Sequence, residues 1–158
     1  MEKEQFIAMS LFYKLKCQFR EREDRYCREK EIGTISGIYD DGSIVCSDTI
    51  NSCPSKFKLI LRPLSDLNKE IEHNGEKFVP IEWFEIGDVD NDSIEYNHGN
   101  IKLIKTLETI ATYNVVHDIA YLPFAVVLKL IEWHFDIASL ISEGEAIDVN
   151  ILNINPYK

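Results

Sequence analysis

The sequence predicts an α+β fold in a single domain over residues 1–158, with a small antiparallel sheet packed against a long apolar C-terminal helix. Strand-like runs separated by turn signals fill residues 13–62, and one apolar stretch covers residues 122–141. A hydrophobic share of 45% in 158 residues is enough for one ordinary core. We expect the sheet to form a curled meander that resembles an SH3-like barrel.

The N-terminal region predicts one helix and one strand. Residues 4–12 fit a short helix, and residues 13–19 alternate apolar and polar side chains with the period of a half-buried strand. Residues 20–31 then carry ten charges, five of each sign. Such a self-neutralising run is typical of a solvated segment. The alternative is a mobile arm that presents arginines to a partner.

Three further strands are predicted before residue 63. Residues 32–39 and 43–50 are strand-like runs joined by Asp40-Asp41-Gly42, and Asp-Gly favours a tight turn because both residues tolerate positive φ. Residues 57–61 form the next strand. Arg62-Pro63 ends it, since proline has no N–H to donate to a strand ladder.

A second hairpin is predicted around Asn74-Gly75, with residues 70–73 and 76–79 as its strands. Pro80 follows, and proline is favoured in the first turn of a helix. We therefore expect a short helical turn over residues 81–84.

The segment of residues 88–100 is acidic and rich in turn-forming residues, which predicts an exposed loop. Residues 93–96 and 101–104 are short runs that we expect to pair as strands across residues 97–100.

The apolar stretch of residues 122–141 predicts a long C-terminal helix, with Pro123 at its start and Gly144 as its C-terminal stop. Its apolar residues cover most of the helix circumference, which indicates burial on several sides. Four polar or charged residues inside this stretch argue against a membrane span, because charges at mid-span are costly. They are Lys129, Glu132, His134 and Asp136.

Charge divides the chain into two subregions. Residues 1–65 are β-rich and near-neutral at +1, whereas residues 66–158 are acidic at −11 and include the C-terminal helix. The net charge of −10 argues against direct binding to nucleic acid or to anionic membranes. It permits binding to a basic protein surface.

An aromatic pair, Trp83-Phe84, lies within the acidic subregion. An apolar anchor surrounded by carboxylates suits a basic groove, because burial of the anchor supplies affinity and the charges steer the encounter. The candidate partner-binding residues are Glu82, Trp83, Glu85, Asp88, Asp90, Asp92 and Glu95. The alternative is that the aromatic pair closes the core and the carboxylates are simply solvated.

No motif predicts catalysis, a metal site or a cofactor. The Asp88-x-Asp90-x-Asp92 run begins like a calcium-binding loop, but Ser93, Glu95 and Gly99 stand where that loop needs glycine, an aliphatic residue and glutamate. We therefore expect a protein that is not an enzyme. A small hydrolase or metal-dependent enzyme is kept as a minor alternative.

The cysteines indicate a reducing compartment. Their gaps are irregular, and no CxxC pair occurs among Cys17, Cys27, Cys46 and Cys53. We expect four reduced thiols in a cytoplasmic protein, with two disulfides in a secreted protein as the alternative.

Two stretches carry a resemblance: LILRPLSDLNKEI at residues 59–71, continuing to NGEKFVP at 74–80, and LKLIEWHFDI at residues 128–137, together with residues 141–148. Together they resemble small uncharacterised proteins of Bacteroidetes phages and prophages. The resemblance implies a phage protein in the host cytosol, and by class analogy an anti-defence factor such as an anti-CRISPR protein. It brings no catalytic residues.

These observations predict a non-enzymatic phage accessory protein that binds and inhibits a host nucleic-acid-handling protein. The partner with the basic surface would be a CRISPR effector nuclease or its RNA complex. The alternative is a phage structural or replication module that self-associates through its C-terminal helix, with Leu130, Trp133 and Ile137 in the interface.

Overall fold

A computed structural model of the protein describes residues 3–19, 31–39, 44–46, 57–86 and 94–158. Its contacts divide the chain into two compact units. The sheet unit comprises Met1–Arg62 and Leu130–Pro156, and the helical unit comprises Pro63–Lys129 and Tyr157–Lys158. The first boundary falls where the charge balance of the sequence changes. Folding of residues 1–158 as a single domain stays a prediction.

The elements follow one another in a mixed order. The α-helices are α1 (Lys3–Ser10), α2 (Pro80–Ile86), α3 (Ile94–Tyr113) and α4 (Phe124–Glu132). The strands are β1 (Lys16–Phe19), β2 (Glu31–Ile38), β3 (Ile44–Cys46), β4 (Phe57–Leu61), β5 (Ile71–His73), β6 (Glu76–Phe78) and β7 (Ala146–Asp148). Short 3₁₀ helices cover Leu11–Tyr13, Leu64–Asn68, Val116–Tyr121 and Val149–Ile151.

The sheet unit is built on a five-stranded sheet with the order β3-β2-β1-β4-β7. Neighbouring strands are antiparallel except β4 and β7, which pair in parallel. This confirms the mixed α and β content and the mainly antiparallel sheet. Because β4 pairs with β1 rather than with β3, the sheet is not the expected meander, and the SH3-like form finds no support.

Alternating side chains give the sheet one buried face. Cys17 and Ile35 are buried, whereas Lys16 and Thr34 are only partly buried and hydrogen-bond to each other through their side chains. Helix α1, whose Phe6 is fully buried, contacts β2. The period of two in the sequence therefore predicts correctly which residues enter this core.

The helical unit holds the predicted second hairpin. Strands β5 and β6 pair antiparallel, and Asn74 and Gly75 between them have φ values of 51° and 83°. Positive φ at two successive residues is what a tight hairpin turn requires. Helix α2 begins at Pro80, also as predicted.

Helix α3 forms the largest element of the helical unit and corrects one expectation. Residues 94–96 and 101–104, expected in paired strands, belong to this helix, while Ser93 lies outside the described residues. Leu107, Ile110 and Ala111 are buried at helical spacing, and α3 contacts both α2 and the 3₁₀ helix Leu64–Asn68. A short apolar run fits strand and helix equally well, and here its continuation decides for helix.

The prediction of a long C-terminal helix is also wrong, because α4 ends at Glu132. Beyond it the backbone pairs with the end of β4: Arg62 N donates to His134 O at 2.8 Å, and Asp136 N donates to Arg62 O at 2.8 Å. His134 itself has a φ of 63°, which no α-helix contains. The apolar residues after Glu132 are thus buried in turns instead of in a helix.

Gly144 does adopt the left-handed conformation that was expected of a helix stop, with a φ of 77°. Its N–H donates to Ile141 O at 3.1 Å, so it closes a turn directly before β7. In the described part of the chain, no helix combines the length and the apolar character needed to cross a membrane.

Candidate partner-binding surface

Helix α2 presents the predicted aromatic pair because of the way the helix starts. Pro80 opens it, and Trp83 N donates to Val79 O at 3.0 Å, which completes the first turn. Ile81 is buried, whereas Glu82 is exposed. One side of this short helix therefore joins the core of the helical unit while Glu82 and Trp83 reach solvent.

Trp83 is 43% exposed, so a large part of its indole ring is open to solvent. The ring of Phe84 meets it edge-on, with centroids 5.3 Å apart and planes at 90°. The ammonium of Lys129, near the end of α4, lies 5.1 Å from the centroid of the Trp83 ring. We call Trp83, Phe84 and Lys129 the aromatic corner. All three belong to the helical unit.

The two interpretations of the aromatic pair each describe part of α2. Ile81 is buried and Phe84 is half-buried, as expected if α2 closes a core. Trp83 nevertheless keeps nearly half of its surface in contact with solvent. An exposed aromatic side chain held in place by two neighbours is the kind of anchor that protein interfaces use.

The predicted carboxylates divide into three groups. Glu82 and Glu85 belong to α2, and Glu95 belongs to α3, which contacts α2. The side chain of Glu82 is exposed. Asp88, Asp90 and Asp92 lie outside the described residues, so their place in the site stays a prediction. Helix α2 precedes this acidic segment, and helix α3 follows it where a strand was expected.

Sequence reasoning missed Lys129 as a member of this surface. Its position on an apolar helix indicated only a polar stripe, and no local pattern links it to Trp83. The contact depends on how α4 and α2 pack in the helical unit, which is tertiary information. Cation–π pairs of this kind carry no spacing rule that a single sequence could reveal.

A thiol pair lies in the core of the sheet unit. Cys17 on β1 and Cys46 on β3 are free and buried, with their sulfur atoms 3.7 Å apart. Strand β2 lies between these two strands, and strands in that relation are about 10 Å apart in a flat sheet. The short distance between the sulfur atoms therefore requires the sheet to curve toward this face. The hydrogen bond with Cys46 and burial raise the pKa of Cys17 far above its ordinary value. Neutral buried thiols are poor nucleophiles. Cys27 and Cys53 lie outside the described residues.

A buried polar cluster follows α4 in the sheet unit. Arg62, His134 and Asp136 are all buried, and Arg62 Nε donates to Trp133 O at 3.2 Å. The carboxylate of Asp136 accepts hydrogen bonds from the main-chain N–H groups of residues 140 and 141, at 2.8 and 2.9 Å. These contacts to the backbone are typical of a structural joint rather than of a solvent-facing catalytic site. Among the residues that the structure describes, no group of three or more His, Cys, Asp or Glu is placed to hold a metal ion.

The interface proposed for the self-association alternative is not accessible. Leu130, Trp133 and Ile137 are all buried within the chain itself. These side chains already contribute to the protein core and cannot also form a contact between copies without unfolding part of it.

Comparison with models of protein families, with curated proteins and with solved structures finds no match. The resemblance to phage proteins therefore stays a prediction, and the functional argument rests on the geometry of this chain alone.

Proposed function

We propose that this protein is a non-enzymatic accessory protein that binds the basic surface of a nucleic-acid-handling protein and inhibits it. An RNA-guided nuclease is the partner that the sequence resemblance implies. The observation that carries the proposal is Trp83, an exposed aromatic anchor on a helix that also carries Glu82 and Glu85.

The mechanism would be steric and electrostatic. A chain with a net charge of −10 is attracted to the positive channels in which nucleic acid normally lies. Acidic residues on α2 would steer that encounter, and burial of the Trp83 ring would supply the affinity that long-range attraction cannot. Occupation of the channel would exclude the nucleic acid.

The test is an affinity capture from nuclease-treated Bacteroidetes host lysate, analysed by mass spectrometry. The double variant Glu82→Lys/Glu85→Lys should lose the partner that the wild-type protein captures, and so should Trp83→Ala. The matched control is Glu76→Lys/Glu108→Lys, which makes the same change in net charge at two exposed positions of the helical unit. Equal capture by all four proteins would contradict the proposal.

A second candidate function is favoured by a different exposed surface. Tyr121, the last residue of the 3₁₀ helix before α4, and Phe124, the first residue of α4, are 82% and 69% exposed. Apolar side chains at such exposure suit an interface between copies of the chain in a structural module. Light scattering distinguishes the two functions, since Phe124→Ser would lower the mass of an oligomer and would leave a monomer unchanged.

A further inference from the structure

Within the aromatic corner, the ammonium group of Lys129 lies over the ring of Trp83. Lys129 Nζ lies 5.1 Å from the centroid of the Trp83 ring, within the distance of about 6 Å at which a cation is attracted by the negative face of an indole. Phe84 contacts the same ring at 90° and so limits how it can turn. The chain itself therefore places a positive charge against this aromatic face.

We propose that Trp83 and Phe84 form a recognition site for an arginine side chain of the basic partner, and that Lys129 occupies this site in the unbound protein. The inference rests on the proposed function and adds to it the chemical group that is recognised. Lys129 is then an internal competitor, which leaves the site when the partner binds.

Arginine is the better occupant for two physical reasons. Its guanidinium is planar and weakly hydrated, so it stacks on an aromatic ring at lower desolvation cost than the compact ammonium of lysine. It also keeps N–H donors at its edge that can bind carboxylates or water while its face lies on the ring. The ammonium of lysine, in contrast, is more strongly hydrated.

Competition by Lys129 makes a prediction that simple charge attraction does not make. Removal of any lysine renders the protein more acidic and strengthens binding of a cation a little. Only removal of Lys129 also vacates the Trp83 ring. Lys105 provides the control, because it is an exposed lysine of α3 in the same unit.

The experiment measures fluorescence anisotropy of labelled octa-arginine and octa-lysine peptides with the full chain at low salt. Lys129→Gln should bind octa-arginine about two- to fivefold more tightly than Lys105→Gln, the change expected for loss of one exposed cation–π competitor. The gain should be larger for octa-arginine than for octa-lysine. It should disappear when Trp83→Ala is added, and should be reduced with Trp83→Phe, which keeps an apolar ring in place.

Two outcomes would overturn the inference. Equal affinities of the two glutamine variants would show that Lys129 does not compete, and weaker binding by Lys129→Gln would show that Lys129 supports the site instead. Failure here is distinct from failure of the proposed function. If Glu82→Lys/Glu85→Lys still loses the captured partner while Lys129→Gln behaves like Lys105→Gln, then the docking surface stands without the arginine site.

Discussion

Asp136 shows how much a single residue decides in this chain. Burial raises the pKa of its carboxyl group above the ordinary value, and the hydrogen bonds donated by Ile141 and Leu140 only partly offset that effect. The same hydrogen bonds hold the turn that replaces the expected end of the C-terminal helix. An aspartate whose side chain binds the backbone competes with helix formation, which is why the apolar pattern of residues 122–141 was misleading.

The raised pKa of Asp136 predicts how stability changes with pH. A carboxyl group that binds its proton more tightly in the folded state stabilises the fold at low pH, and this contribution is lost as pH rises from the unfolded pKa of 3.8 through the folded pKa. We expect the free energy of unfolding of the wild type, relative to that of Asp136→Asn, to fall over this interval and then to level off. Urea denaturation of both proteins from about pH 3.5 to about pH 7, the range in which such a carboxyl group titrates, measures this difference. A difference that is constant or rises with pH would contradict the assignment.

At the scale of single residues, the candidate site was predictable where exposure follows from local pattern. Trp83 stood out because an aromatic side chain lay among carboxylates, and the structure places it at the surface. Lys129 and the thiol pair of Cys17 and Cys46 were not predictable, because each contact joins elements that are distant in sequence. No property of the separate residues encodes these distances.

The helices, strands and turns predicted best are those whose position is set by residues close to them in the sequence. Strand β4 occupies Phe57–Leu61, as expected from an apolar run that ends at Arg62-Pro63, and the Asn74-Gly75 turn lies between β5 and β6. The prediction for α3 was wrong in type because a short apolar run has no unique period, and the prediction for α4 was wrong in length because its long apolar pattern continues past the end of the helix. Their form depends on tertiary partners: the 3₁₀ helix Leu64–Asn68 for α3, and the end of β4 for the segment after α4.

Gly75 and Gly37 differ in what a side chain would cost at each position. At Gly75 the backbone conformation is unfavourable for other residues, and at Gly37 only the space around the side chain matters. A Cβ atom at Gly75 would meet nothing within 4 Å, but the φ of 83° strains any residue with a side chain. A Cβ atom at Gly37, on β2, would make an ordinary contact of 3.5 Å with Val45. We expect Gly75→Ala to lower the free energy of unfolding by about 1–2 kcal/mol, and Gly37→Ala to change it by less than about 1 kcal/mol in either direction. Chemical denaturation measures both, and equal effects would exclude the turn as the cause.

At the scale of the whole molecule, the charge distribution can be predicted from the sequence alone, whereas the boundaries of the two units can be predicted only in part. The net charge of −10 and its concentration after residue 65 need no structure. The boundary of the compact units at Arg62 coincides with that change, but the second boundary, between Lys129 and Leu130, lies inside α4. A sequence pattern that is continuous across a helix gives no sign that two units share it.

The position of α4 leads to the last prediction, which concerns cooperativity. The boundary between the two units lies inside α4, so each unit contains part of this helix, and melting of either unit should fray the turns that the other contains. The two tryptophans report on the units separately, since Trp83 belongs to the helical unit and Trp133 to the sheet unit. The fluorescence of Trp133→Phe therefore follows Trp83, and that of Trp83→Phe follows Trp133. In each variant, we expect the fluorescence transition in urea to coincide with the circular dichroism transition. Circular dichroism of each variant controls for the stability lost by the substitution itself. Agreement within each variant would establish one cooperative domain over residues 1–158, and a fluorescence midpoint displaced from the circular dichroism midpoint would show that the two units unfold independently.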